Sequence, residues 1–451
     1  MIYLLSVQQS TISSSITYFF AFLLLAMILC LALEEKIHAK KSLITGFFAF
    51  LCLLFSSIFL PLPHGQSHMP FYIPFIDWEV VLIIIGASLF VDVVSRSGIF
   101  SWIALKLTKL SQGKIFTLLL YYSLLTVLFS AFLNNVTAMM IIGSLTALSL
   151  RKLEKSEKLL GFLLVEGLLT NVGGLLTLIS SVPNIILGQK AGITFGEFFI
   201  KACPYVLISS LVTIYLARWL FNLATEEGGE EERKNLLEAF DEQEGIQSWN
   251  FFYFSWAMLV LLIFFFSTQS FLPILKDLGL GFVAMAMAIL VMFRYKHEVD
   301  QNYKALDWDL IFFFVFLFVV IGIMEMAGVL TLLGRLLSAL IGLGKWGGPI
   351  SLLMGSAAAS SVTDNIPLAA VLANILGNMH VPGDSNLWWS VIFGANLGGN
   401  VTPIGSASTV VALTIIRKEE ISLTFMGFVK KALPFALVQI LLAALYVVLF
   451  L

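Results

Sequence analysis

The chain runs to 451 residues, of which 59% are hydrophobic and 12% charged, with a formal net charge of -2. That apolar content exceeds what one soluble core of ordinary size buries, so the surplus must face lipid, and the near-zero charge argues against a nucleic-acid partner. Cys30, Cys52 and Cys203 sit in or beside apolar runs without paired spacing, which suggests neither a disulfide framework nor a metal site.

A bilayer core takes roughly 20 apolar residues per helix. After an N-terminal segment, 1–15, the first crossing is expected over 16–33; Glu34, Glu35 and Lys36 follow it in place of a small-residue cleavage site, so it reads as a retained span. Crossings at 43–61 and 77–95 come next. Segment 97–111 carries Lys106 and Lys109 and is laid along the interface. The runs 115–133 and 135–150, parted by an asparagine pair, read as a hairpin that returns to its starting side, and crossings at 159–189 and 197–223 complete a first unit, 16–224. A solvated acidic linker, 225–249, includes Glu226, Glu227, Glu230, Glu231 and Glu232. The second unit, 250–451, repeats the pattern: crossings at 250–267, 279–295 and 307–327, an interfacial segment 329–343, a hairpin of 348–361 and 365–379, and crossings at 386–413 and 423–450.

Basic residues test this layout, since cytoplasmic loops carry excess Lys and Arg. Lys36, Lys40, Lys41, Arg96, Lys114, Arg151, Lys152, Lys155, Lys158, Arg294, Lys296, Arg417 and Lys418 all fall on the linker's side. The chain is therefore expected as a multi-pass protein of the plasma (inner) membrane, with the linker cytoplasmic and both termini external.

An internal repeat gives the architecture. Asp77-Trp78-Glu79 recurs as Asp307-Trp308-Asp309, Gly98 as Gly328, Ser130 as Ser360 and Asn135 as Asn365, all at one constant offset. The run from Thr170 to Ser181 aligns with that from Ala395 to Ser406 at a second. Five crossings per unit is an odd number, so the second copy enters the membrane upside down. The expected fold class is an all-α polytopic membrane protein: an inverted repeat of two five-helix units, each with a re-entrant hairpin and a broken helix. Such repeats are the architecture of secondary transporters.

Polar clusters inside apolar spans mark the chemistry, because backbone groups in hydrocarbon must be paired. Asn171, Gly173, Gly174, Thr177 and Asn184 interrupt one crossing; Asn396, Gly398, Gly399, Asn400, Thr402 and Ser406 interrupt its counterpart. Freed carbonyls with Asn, Ser and Thr oxygens supply hard ligands for a small cation, whereas half-helix N-termini favour an anion; small-residue packing is the plainer alternative. The hairpin tips carry Asn134, Asn135 and Thr137 in one unit, Asp364 and Asn365 in the other. A carboxylate within the membrane costs about 2.5 to 3.5 kcal/mol on insertion scales and is kept where it pairs, binds a cation or carries a proton; capping the second hairpin arm is a compatible role for Asp364. Glu166, roughly 10 Å into its span at helical rise, suits proton coupling. Asp92, four residues before Arg96, reads as an exposed helix-end pair. No Lys or Arg falls within these clusters in sequence. An intramembrane enzyme would need a metal pair or an activated nucleophile, but His38, His64, His68, His297 and His380 all fall in expected loops or span ends.

At these residues the chain resembles the ion transporter superfamily, in particular the branch of arsenite efflux permeases, NhaD-type sodium/proton antiporters and the melanosomal P protein. Glu166 through Asn171-Val172-Gly173-Gly174 to Pro183-Asn184, Asp364-Asn365-Ile366-Pro367, and Gly394 through Gly405 carry the resemblance. It implies a homodimer, a scaffold of early crossings, and a mobile domain of hairpins and broken helices that moves like an elevator. It also implies that Asn134, Asn135, Asp364 and Asn365 are tip residues and that Thr177, Asn184, Thr402 and Ser406 lie in unwound loops. The first tip departs from the pattern, reading Asn-Asn where many relatives of this branch carry an acid. The expected activity is sodium (or lithium)/proton antiport without any cofactor beyond the coupling ion, sodium or proton, with Asp364 and Glu166 exchanging protons for the cation. Arsenite or antimonite efflux and sodium-coupled carboxylate transport are the alternatives.

Overall fold

The computed structural model describes residues 12–61, 69–223, 243, 245–246, 248–403 and 405–451. Residues 1–11 and the part of the acidic linker from 225 to 242 lie outside the described residues. The first unit comprises α1 (Ser14–Ala32), α2 (Lys41–Phe59), α3 (Trp78–Ser95), α4 (Ile99–Leu110), α5 (Ile115–Ser130), α6 (Asn135–Lys152), α7 (Leu159–Gly173), α8 (Val182–Ala191) and α9 (Phe195–Leu220). The second comprises α10 (Trp249–Thr268), α11 (Pro273–Arg294), α12 (Trp308–Met326), α13 (Val329–Ile341), α14 (Gly344–Ser360), α15 (Asn365–Asn378), α16 (Asn386–Gly398), α17 (Ala407–Lys418) and α18 (Phe425–Phe450). Each helix of one unit has its counterpart nine labels later, so the repeat seen in sequence is a repeat of structure.

Among the described residues, 8 helices are long and apolar enough to cross a membrane. The ten expected crossings include two, 159–189 and 386–413, that the structure divides into the pairs α7/α8 and α16/α17, whose halves are each too short to cross alone. α5/α6 and α14/α15 are the hairpins, with tips at 131–134 and 361–364.

The two units interlock about a pseudo-twofold axis. α3 packs on α11 and its counterpart α12 on α2; α7 packs on α17 and α16 on α8; α6 packs on α17 and α15 on α8. The recurrent Asp-Trp-acid triplet now has a physical role. Asp77 and Asp307 each cap their own helix, accepting from the amides of Val80 and Leu310. The second acid reaches into the other unit: Glu79 accepts from the Leu280 amide at 3.0 Å and Asp309 from the Ser42 amide at 3.2 Å. α11 is interrupted at Gly279, where φ is 80° and a β-carbon would meet the Glu79 carboxylate, and its longer part restarts at Leu280. Thus a motif at the head of one helix closes the exposed amides of a helix in the opposite unit, where the dipole also favours an anion.

α7 and α16 lie at the centre. Every residue from Gly161 to Gly173 and from Trp388 to Gly398 is buried, the signature of a helix apolar on all sides and enclosed by protein. Rings from neighbouring helices close around α16, with Phe198 against Trp389 at 5.0 Å and Tyr205 against Phe393 at 4.7 Å between centroids. On the periphery Phe22, Phe47, Ile200, Trp219 and Phe271 stay exposed, an apolar exterior that suits lipid. α4 and α13, which the sequence lays along the interface, are helices buried along one side, through Ile99, Phe100, Ala104 and Leu105 in α4 and Val329, Leu330, Gly334 and Leu337 in α13.

Candidate functional site

Both broken crossings stop for local reasons. After Gly173 the chain meets Gly174, Thr177, Ser180 and Ser181, and after Gly398 it meets Gly399, Thr402, Pro403 and Gly405, before a helix restarts, at Val182 with Pro183 in its first turn and at Ala407 with the Ser406 hydroxyl accepting from the Thr409 amide. Proline fits the first turn because its missing N–H would have no partner there. Carbonyls released by the first break are taken up locally: Gly174 O accepts from Asn184 Nδ2 at 2.7 Å and Thr177 O from the same nitrogen at 3.0 Å.

Symmetry-related side chains then join the breaks to the hairpins and to one another. Thr177 donates to Ala131 O and Thr402 to Ser361 O, so each break holds the tip of its own hairpin. Ser130 and Ser360 repeat this one residue earlier, donating to Thr170 O and Ala395 O, both at 2.6 Å. Asn171 sends Nδ2 across to Ser406 at 2.8 Å, and its counterpart Asn396 receives Ser181 at 2.7 Å. Each asparagine therefore docks on the matching serine of the opposite unit. Asn171 also donates to Asn400 Oδ1 at 2.8 Å while its own oxygen accepts from Asn135 at 3.1 Å and Ser408 at 3.2 Å. Asn396 donates to Asn184 Oδ1 at 2.9 Å, and Asn400 reaches Gln439 Oε1 on α18 at 2.7 Å.

Close backbone approach makes this crossing possible. A β-carbon on Gly398 would lie 2.3 Å from Ala357 O, and one on Gly173 would lie 2.7 Å from Val127 Cα. β-Carbons on Gly174 and Gly399 would lie 2.8 and 2.9 Å from Asn135 Oδ1 and Gly405 O. All four glycines bring a broken helix against its hairpin or its own turn.

The expected residues separate into four places. Asn135, Asn171, Asn400 and Ser406 share one network, and Gly174, Asn184 and Asn396 a second, with Thr177 and Thr402 on their flanks. At the tips, Asn134 is exposed and accepts from the Thr137 amide at 2.9 Å, while Asp364 accepts from the Ile366 amide at 2.9 Å with half-buried Asn365 beside it. Glu166 stands apart on α7: Oε1 accepts from Thr146 on α6 at 2.6 Å, and Oε2, equally buried, has no partner.

Thr146, Thr213, Gln439 and Lys41 take part although none of the sequence expectations singles them out. Gln439 bridges Asn400 to Thr213 at 2.9 Å, and its signal was a lone amide in the apolar run 423–450. Lys41 forms an ion pair with Asp364 Oδ2, although the charge pattern assigns it only to the linker side. Asp92 pairs with Arg96 at its helix end, and Arg96 also holds Glu298 at 3.1 Å.

Comparison with known proteins agrees with the architecture. The family described as "Citrate transporter" matches residues 27–394. An uncharacterized transporter of Mycobacterium bovis is 31% identical over 393 residues, covering 85% of this chain and 89% of its own length. The human P protein is 24% identical over 92% of this chain and 58% of its own. Among solved structures, the Alcanivorax borkumensis YdaH transporter superposes with a TM-score of 0.62 at 13% identity, over 91% of this chain and 98% of its own. MtrF of Neisseria gonorrhoeae gives 0.55 at 12% identity, over 92% of this chain and 95% of its own; both likenesses concern the fold. Interlocked inverted units, broken helices that cross at an asparagine network and a profile matched over most of the length lead to one assignment: this chain is a membrane transporter belonging to the citrate transporter family.

Proposed function

We propose that this transporter exchanges sodium or lithium for protons by an elevator-type displacement, as a homodimer with α1–α3 and α10–α12 as scaffold and the hairpins and broken helices as the moving part. Glu166 carries the reading. A wholly buried carboxyl with one oxygen bonded to Thr146 and the other unpartnered is an expensive arrangement that calls for an exchangeable partner, and a proton or small cation at Oε2 supplies it. Asp364 is the second acid, and Asn, Ser and Thr oxygens around the breaks are neutral hard ligands of the kind a small cation takes. In liposomes containing the purified protein and a pH-sensitive dye, an imposed sodium or lithium gradient is expected to drive proton movement in the neutral to mildly alkaline range. Absence of any such flux would reject antiport by these cations.

A second reading, cation-coupled movement of a carboxylate solute, draws on the family description and on the N-termini of α6, α8, α15 and α17, which begin at the tips and breaks where an anion is favoured. Uptake of labelled citrate or succinate by the same liposomes, dependent on a sodium gradient, would favour it over antiport.

A further inference from the structure

The Lys41–Asp364 ion pair joins two regions that belong to different parts of the architecture. Lys41 is the first residue of α2, and Asp364 closes the tip of the second hairpin, 323 residues further along the chain. The pair is partly shielded, with side-chain exposures of 27% and 15%. Asp364 divides its oxygens: Oδ1 caps α15 through the Ile366 amide, and Oδ2 meets the ammonium. Lys41 has a second acid within reach, Glu34 at 3.7 Å, so the ammonium need not be left alone when it leaves the tip.

Among the described residues the first hairpin tip makes no equivalent ion pair: Asn134 is neutral and exposed, and its side chain caps α6. The pseudo-twofold that governs the asparagine network is therefore broken at the tips: the second is charged and ion-paired with the other unit, whereas the first is neutral. Beside the tie, a cleft of about 250 Å³ opens between α1 and the second hairpin, lined by Leu24, Ile28, Leu31, Thr363, Asp364 and Pro367 among others. Asp364 and Thr363 are its polar groups, so a small cation entering there has the Asp364 carboxylate as its charged ligand, and Lys41 already occupies it.

We propose that Lys41 is a tethered counterion that pins the second hairpin tip to the start of α2, and that a transported cation must displace it from Asp364 before the tip can move. A lysine suits this role better than an arginine would. Its ammonium is a compact charge on a flexible stem that can swing to Glu34, whereas a guanidinium locks carboxylates in a planar fork. The pinning stands on geometry alone; the displacement by cation rests on the antiport reading above.

The test uses the full-length protein in nanodiscs, with Cys30, Cys52 and Cys203 changed to Ser and Thr363→Cys as reporter, and follows the rate of labelling by a membrane-impermeant maleimide. In choline chloride, Lys41→Gln and Asp364→Asn are each expected to change the rate by about fivefold, with the double variant no different from either single one, as coupled partners require. Lys41→Arg, which keeps the charge and leaves the Asp364 cap on α15 in place, is expected to return the parental rate, which also shows that the site still folds. Single effects that multiply in the double variant would overturn the pin. Adding sodium or lithium is expected to reproduce the Lys41→Gln rate in the parent and to leave Lys41→Gln unchanged. A coupled cycle with no response to either cation would overturn the displacement step and count against antiport, while leaving the pin standing.

Discussion

Glu166→Gln is expected to leave a folded, monodisperse protein whose sodium- or lithium-driven proton flux has fallen by about 100-fold or more, the scale on which loss of a proton-transferring side chain is felt. The substitution is close to isosteric. Its carbonyl oxygen still accepts the Thr146 hydroxyl, now at 2.6 Å from Oε1, and its amide replaces the oxygen that has no partner. Packing around α7 is therefore conserved, and the amide has no proton to give or take. Thr146→Val separates orientation from chemistry: it deletes the one hydrogen bond to the carboxyl and is expected to lower flux by about tenfold, as loss of a bond to a charged group implies. Dye-reported flux in liposomes, normalised to inserted protein, measures both. Wild-type flux in Glu166→Gln would remove this acid from the coupling step.

A large loss of stability is expected from Gly398→Ala. Its β-carbon would lie 2.3 Å from Ala357 O and 2.8 Å from Ala357 Cα, contacts to backbone that no rotamer change relieves. Gly398→Ala must push α14 from α16, at a cost of about 1–3 kcal/mol or more for overpacking, and it lies between Asn396 and Asn400, so the asparagine network shifts with it. Gly173→Ala meets Val127 backbone atoms at 2.7 Å in the symmetry-related place and is expected to behave alike. Gly355→Ala is the control: it lies on the exposed side of α14 with nothing within 4 Å, and alanine is the better helix former by about 1 kcal/mol. Thermal melting in detergent should fall by several degrees for the first two and hold or rise for the third. Equal melting of Gly398→Ala and wild type would show that α14 and α16 do not touch as described.

Much of the fold is legible because lipid enforces a plain rule. Polar or glycine-rich interruptions in an apolar run mean a break or a tip, and the helix ends at Gly173, Gly398, Asn135 and Asn365 follow from that rule together with the repeat. What the sequence conceals is pairing across the pseudo-twofold. Asn171, Asn184, Asn396 and Asn400 read as free oxygen ligands, yet each of their side-chain oxygens already accepts from a neighbouring asparagine or serine. Glu79 and Asp309 are visible as a recurring acid but not as caps of helices 201 and 267 residues away. Lys41 is hidden for the same reason. Its position along the chain fits an ordinary loop-end lysine, and nothing local in the sequence shows that the second hairpin is long enough to bring Asp364 to it.

Two oppositely inserted units are locked together by an asparagine-and-serine exchange at their broken helices. Electron cryo-microscopy of the protein in nanodiscs tests this most directly. The density is expected to show non-helical chain at 174–181 and 399–406, with the Asn171 side chain on Ser406 and that of Asn396 on Ser181. Unbroken helices through either segment, or asparagines that face lipid, would contradict it.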